Sequence, residues 1–138
     1  MKKARFLLPL VLLAVIGSFG CGRGSMVPYQ SRVSYRGYNL TSGLVVFIPE
    51  QRGPLSVGRI RDDGSFVLYT GESPGIYPGS YRITVCALNP GTPDGYGRFD
   101  FPQSALPEKY RDPELSGLSQ VIEPGRIYTG PIDLTEVD

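Results

Sequence analysis

Ser80-Tyr81-Arg82-Ile83-Thr84-Val85-Cys86-Ala87-Leu88 puts Tyr81, Ile83, Val85 and Ala87 on one face of an extended chain and Arg82, Thr84, Cys86 and Leu88 on the other. Successive side chains of a β-strand point to opposite sides, so this alternation predicts a strand, central in its sheet. The same reading extends upstream. Between Val57–Arg61 and Ser65–Thr70 stands Asp62-Asp63-Gly64, a hairpin signal in which Gly64 can take positive φ without steric cost and Asp63 is a turn former. Gly43 to Ile48 is a continuous apolar run stopped by Pro49, which predicts a strand covered on both faces. Tyr29 to Arg36 alternates, with Ser31, Val33 and Tyr35 on one face, and Gly37-Tyr38-Asn39 turns the chain. Downstream, Gln120–Ile122 and Arg126–Leu134 are expected to form a last hairpin around Glu123-Pro124-Gly125, since Pro and Gly suit the central positions of a type II turn. Seven short strands in a chain of this size predict an all-β fold, a single seven-stranded immunoglobulin-like or transthyretin-like β-sandwich. Its expected core includes Val33, Tyr35, Val45, Phe47, Phe66, Leu68, Tyr81, Ile83 and Val85.

Composition agrees with that class. The 138 residues hold 18 Gly, 13 Pro, 9 Tyr and 6 Phe but no Trp and no His, a mixture of strand formers and turn formers.

The amino terminus reads as an address. Met1-Lys2-Lys3-Ala4-Arg5 is a charged start, and Phe6 to Ile16 is an apolar run too short for an ordinary membrane span. Gly17-Ser18-Phe19-Gly20-Cys21 then sets a small residue directly before a cysteine. Residues 1–20 are therefore expected to be a cleaved lipoprotein-type signal and Cys21 the lipid attachment site, although Ser18 and Phe19 depart from the usual lipobox. The alternatives are an ordinary secretory signal and an uncleaved anchor. Residues 21–28 are expected to be the lipidated cysteine and a flexible tether, and residues 29–138 the folded domain. Several acyl chains on one cysteine hold a protein stably at a bilayer, so the expected location is a bacterial membrane, facing the periplasm or the cell surface. Without residues 1–20 the chain has 118 residues, the size of one domain, and 11 cations against 13 acids. That balance offers no footprint for nucleic acid.

Several segments together carry a resemblance. Val33-Ser34-Tyr35-Arg36-Gly37 with Leu40, Val45-Val46-Phe47-Ile48-Pro49, Asp63-Gly64-Ser65-Phe66-Val67-Leu68 and Pro78-Gly79-Ser80-Tyr81-Arg82-Ile83-Thr84-Val85 occur in order, followed by Leu106-Pro107-Glu108-Lys109-Tyr110 and Ser116-Gly117-Leu118. In this series the chain resembles the carboxypeptidase regulatory-like, transthyretin-like β-sandwich domains of short bacterial envelope lipoproteins. It departs from them at Ser31 and Ser42, where glycine is usual, at Tyr38-Asn39, where Lys-Pro is common, and at Ile60-Arg61, where Thr-Asp is common. The resemblance implies an accessory module for spacing, adhesion or partner contact, with no catalytic residue.

The residues themselves limit the chemistry. With no histidine, neither a Ser-His-Asp nor a Cys-His arrangement can be assembled. Cys86 lies mid-strand without a CxxC partner or an adjacent cation, as expected of a buried structural thiol. No zinc ligand set and no EF-hand calcium loop is present, so no metal is expected. Gly91-Thr92-Pro93-Asp94-Gly95 lacks the lysine and helix of a phosphate loop, and no cofactor is expected. The expected function is a non-catalytic envelope module for contact with another envelope protein or a surface polysaccharide, or for structural spacing. A carboxylate-dependent hydrolase or transferase acting in the envelope is the alternative. Tyr81, just after Pro78-Gly79, fits a tyrosine corner whose hydroxyl returns to the backbone. The thirty residues from Asn89 to Leu118 form an unusually long, Pro-rich connection, and long connections tend to be functional. Its candidate binding residues are Tyr96, Phe99, Phe101 and Tyr110, flanked by Arg98 and Arg111, with coverage of a sheet edge or an open core end as the plainer role.

Overall fold

The computed structural model describes residues 24–89 and 103–135. The signal, Cys21 and the candidate residues Tyr96, Arg98, Phe99 and Phe101 lie outside the described residues. The described chain is all-β. Its strands are β1 (Gln30–Tyr35), β2 (Tyr38–Asn39), β3 (Gly43–Pro49), β4 (Ser56–Ile60), β5 (Ser65–Thr70), β6 (Ser73–Pro74), β7 (Gly79–Cys86), β8 (Leu88–Asn89), β9 (Gln103–Ser104), β10 (Ser119–Ile122) and β11 (Ile132–Leu134), with one 3-10 turn at Glu108–Arg111.

Hydrogen-bonded neighbours run β10-β7-β3-β4-β5-β1-β11, while β2 adds to β1, β6 adds to β5, and β8 pairs with β9 separately. Every pairing is antiparallel except β1 with β11. The sheet is curled, and its inner face closes on one core. Val45 and Phe47 of β3, Phe66 and Leu68 of β5, and Tyr81, Ile83 and Val85 of β7 are buried there, as the alternation predicts. Val33 of β1 is also buried, and Tyr35 packs against the cluster.

Local chemistry explains the turns. At Asp62-Asp63-Gly64 the Asp63 carboxylate accepts from the Ser65 amide at 2.9 Å, and Gly64 has φ +81°. A Cβ on Gly64 would stand 2.9 Å from Asn39 Cβ and 3.1 Å from the Val33 carbonyl, so this hairpin tip docks directly on β1 and β2. The first turn falls one step earlier than the sequence predicts. Arg36 and Gly37 both take positive φ, and Tyr38-Asn39 returns as β2, the geometry of a tight two-residue hairpin loop. Gly58 faces inward, where a Cβ would meet the Phe66 ring at 2.6 Å, so the missing side chain makes room for an aromatic on the neighbouring strand.

Three expectations are corrected. The run 43–48 is not covered on both faces: Val45 and Phe47 are fully buried, but Leu44 is 45% exposed and Val46 and Ile48 are only half-buried. Aliphatic residues on the outer face gave an apolar run with no second covering layer among the described residues. The carboxy-terminal hairpin also does not form, because β10 pairs with β7 and β11 pairs with β1 at the opposite margin of the sheet. Tyr128 is the physical reason. Its ring stacks on Tyr29 at 5.5 Å, its carbonyl accepts from the Gln30 amide at 3.0 Å, and its hydroxyl accepts from the Glu123 amide at 2.7 Å. Residues 123–131 thereby cross between the two margins of the sheet instead of folding back. Finally, pairing starts before residue 29, since Val27 is buried and exchanges backbone hydrogen bonds with Ile76 at 2.9 and 3.0 Å.

The hydroxyl of Tyr29, just before β1, donates to Gln120 Oε1 of β10 at 2.6 Å. That bond links β10, at one end of the pairing order, to the lead into β1, the strand next to the other end, and the Tyr29 ring lies beside Phe47 and Phe66. Burial is the main reason the Tyr29 hydroxyl is pushed up to about 12, with the Gln120 hydrogen bond acting in the opposite direction.

Candidate functional site

The outer face of the curled sheet carries a candidate contact surface. Strand register sets outward side chains in rows: Leu44 lies opposite Arg59 and Cys86, while Val46 lies opposite Val57 and Thr84, and Val57 lies opposite Tyr69. Leu44, Val57, Val67 and Tyr69 line an open groove of about 730 Å³, with Arg59 and Arg61 along one side. Leu44 and Tyr69 remain 45% and 44% exposed. An aliphatic floor, one tyrosine edge and two guanidinium groups form a surface that can hold a partner by burial and by hydrogen bonds to carboxylate, phosphate or carbonyl oxygens.

The positive character continues onto β1. Arg32 and Arg61 border a second open groove of about 670 Å³ with Asp63. None of Arg32, Arg59 and Arg61 forms an ion pair among the described residues. Hydrogen bonds from the Ser65 hydroxyl and amide, assisted by the charge of Arg32, hold the Asp63 carboxyl below its ordinary value of 3.8. Asp63 is therefore a carboxylate engaged in turn formation. Arg82, further along the outer face, is held by Glu50 at 3.4 Å and by Glu114, and these partners raise its already high pKa.

The structure separates the sequence candidates. Tyr110 is buried, its ring lies 6.4 Å from Tyr35, and its hydroxyl donates to the Thr135 carbonyl. With Leu106, also buried, it belongs to the core cluster. Arg111 is exposed at the end of the 3-10 turn. The segment 105–118 is tied down by the Ser116 hydroxyl donating to the Ile83 carbonyl at 2.7 Å and by the Ile83 amide donating to the Leu118 carbonyl at 2.9 Å. The expected tyrosine corner is present: the Tyr81 hydroxyl donates to the Tyr77 carbonyl at 2.9 Å. Cys86 is half-buried, not buried as expected, because it faces outward beside Leu44.

Among the described residues no three His, Cys, Asp or Glu side chains gather around one point that could hold a metal ion. The groove residues Leu44, Val57, Arg59, Arg61, Val67 and Tyr69 were not singled out by sequence. Their one signal is parity, since Val67 and Tyr69 alternate with the buried Phe66 and Leu68. Neither known protein families, curated proteins nor solved structures contain a match to the chain.

Proposed function

We propose that this chain is an exported, lipid-anchored envelope protein with a non-catalytic, carboxypeptidase regulatory-like β-sandwich domain that contacts an envelope protein or surface polysaccharide. Cys21 carries the anchor, and the outer groove is the contact surface. The observation that supports this reading is the groove itself, broad and open, with an apolar floor, an exposed tyrosine edge and arginines that form no ion pair among the described residues. Acyl or glycosyl transfer through carboxylates instead needs acids converging in a recess, and among the described residues the one acid lining the groove is Asp62. Curling of the sheet around one core, with Tyr29 bridging to Gln120, is compatible with two facing layers of a sandwich.

Photocrosslinking in intact cell envelopes tests the contact surface. A photoreactive residue at Tyr69 should yield one defined adduct, and Arg59→Glu or Leu44→Asp should abolish it. Leu115, 66% exposed and outside the groove, provides the reference position. The same adducts from both positions, or an adduct indifferent to Arg59→Glu and Leu44→Asp, would contradict a binding groove.

A further inference from the structure

Gly24 is the first described residue, three residues after Cys21. A Cβ there would touch the Pro78 ring at 3.6 Å, and Gly24 shares a groove with Pro49, Arg52, Pro54, Tyr77 and Pro78. The next residues are fixed to the same place. Val27 pairs with Ile76, and a Cβ on Gly75 would meet the Val27 carbonyl at 3.0 Å and Met26 Cβ at 3.2 Å. Three residues reach about 10 Å at full extension. Whatever is attached to Cys21 is therefore held close to this end of the domain.

Strand direction shows what else gathers there. β3 ends at Pro49, β4 begins at Ser56, β5 ends at Thr70, β7 begins at Gly79 and β10 ends at Ile122. The connection 50–55 and the segment 75–78 thus share the Gly24 end. The Arg36-Gly37 turn, the Asp62-Asp63-Gly64 hairpin and the start of β8 lie at the other end, roughly 25 Å away by the length of an eight-residue strand.

The geometry points to an orientation: we propose that the end formed by residues 50–55 and 75–78 rests on the bilayer that takes up the acyl chains of Cys21. This rests on the anchored reading above. The chemistry of the end suits a lipid headgroup layer. Arg52 is exposed and forms no ion pair among the described residues, so its guanidinium is available to lipid phosphate. Leu55 is 50% exposed, and Tyr77 is a half-buried aromatic of the kind that favours the membrane interface. Two acids at this end are already compensated, Glu50 by Arg82 and Glu123 by Arg126, while Glu72 stays exposed in its turn. The domain then stands with its β1-β2 turn and the Asp62-Asp63-Gly64 hairpin directed away from the membrane, leaving the sheet-face groove open from the side.

Depth-dependent quenching tests this on the full acylated protein. A genetically encoded fluorophore at Gln51 or at Tyr38, which is 80% exposed at the far end, is reconstituted in phosphatidylethanolamine–phosphatidylglycerol vesicles with a headgroup-attached quencher. Quenching at Gln51 should exceed that at Tyr38 several-fold, and Arg52→Glu should reduce it. Equal quenching, or stronger quenching at Tyr38, on protein whose mass shows an acylated Cys21 would overturn the orientation and leave the anchor standing. A mature chain without acyl groups at Cys21 would overturn both.

Discussion

Replacing Tyr29 with phenylalanine tests the closure of the sheet, because it removes one hydroxyl and keeps the ring. The Tyr29 side chain is 2% exposed, stacks among Phe47, Phe66 and Tyr128, and donates to Gln120 at 2.6 Å. Gln120 is half-buried, so water replaces the lost donor only in part. The expected cost at neutral pH is about 1 kcal/mol, typical for one hydrogen bond, or about 4 °C in Tm for a domain of this size. Tyr29→Ala also removes the ring and should cost about 3–5 kcal/mol. The pH dependence has a definite sign. The folded-state pKa of about 12 lies above the ordinary 10.0, so between these values the folded chain holds a proton that the unfolded chain has lost. This contribution to stability is complete below pH 10 and declines as pH rises through 12, by at most about 2–3 kcal/mol. Urea titrations of Tyr29→Phe and the parent chain, lacking residues 1–20, should therefore converge and then cross within that alkaline window. A double-mutant cycle with Gln120→Ala should return about 0.5–1.5 kcal/mol of coupling. Zero coupling together with parallel alkaline profiles would refute the bridging role of Tyr29.

Gly64→Val should cost about 2 kcal/mol or more in urea unfolding, because φ +81° strains a branched residue and its Cβ would crowd Asn39 and Val33; an unchanged midpoint would contradict the docked hairpin. Tyr110→Ala should cost about 3–5 kcal/mol as a buried aromatic truncation, while Tyr69→Ala on the outer face should change stability by less than about 1 kcal/mol. Acid titration should show Asp63 ionised below its ordinary value of 3.8; its contribution to stability is present above that pH and is lost as pH falls through the lower folded-state value, and Ser65→Ala should shift the loss toward higher pH.

The inward face of nearly every long strand was legible, because alternation along one strand reports which side meets the core. Phe66 and Leu68, or Tyr81, Ile83 and Val85, need no knowledge of their neighbours to be read. Partnership is a different matter. The parallel pairing of β1 with β11 depends on Tyr128 stacking on Tyr29 far away in sequence, and nothing in Glu123-Pro124-Gly125 distinguishes a hairpin from a crossing. The outer face was misread at Leu44, Val46 and Ile48 because an exposed aliphatic has the same identity as a buried one. The groove was invisible for the related reason that Leu44, Arg59 and Tyr69 come together only through the registers of three strands. Tyr110 carried a double reading as cover or contact, and the structure buries it in the core cluster.

Anchor, orientation and groove exposure all depend on the chemistry at Cys21, and the mass of the mature amino-terminal peptide from membranes measures it directly. A lipid-anchored chain yields a peptide beginning at Cys21 and carrying acyl chains, with labelled palmitate incorporation lost in Cys21→Ala. A mature terminus at any other residue, or palmitate labelling that persists in Cys21→Ala, would contradict it.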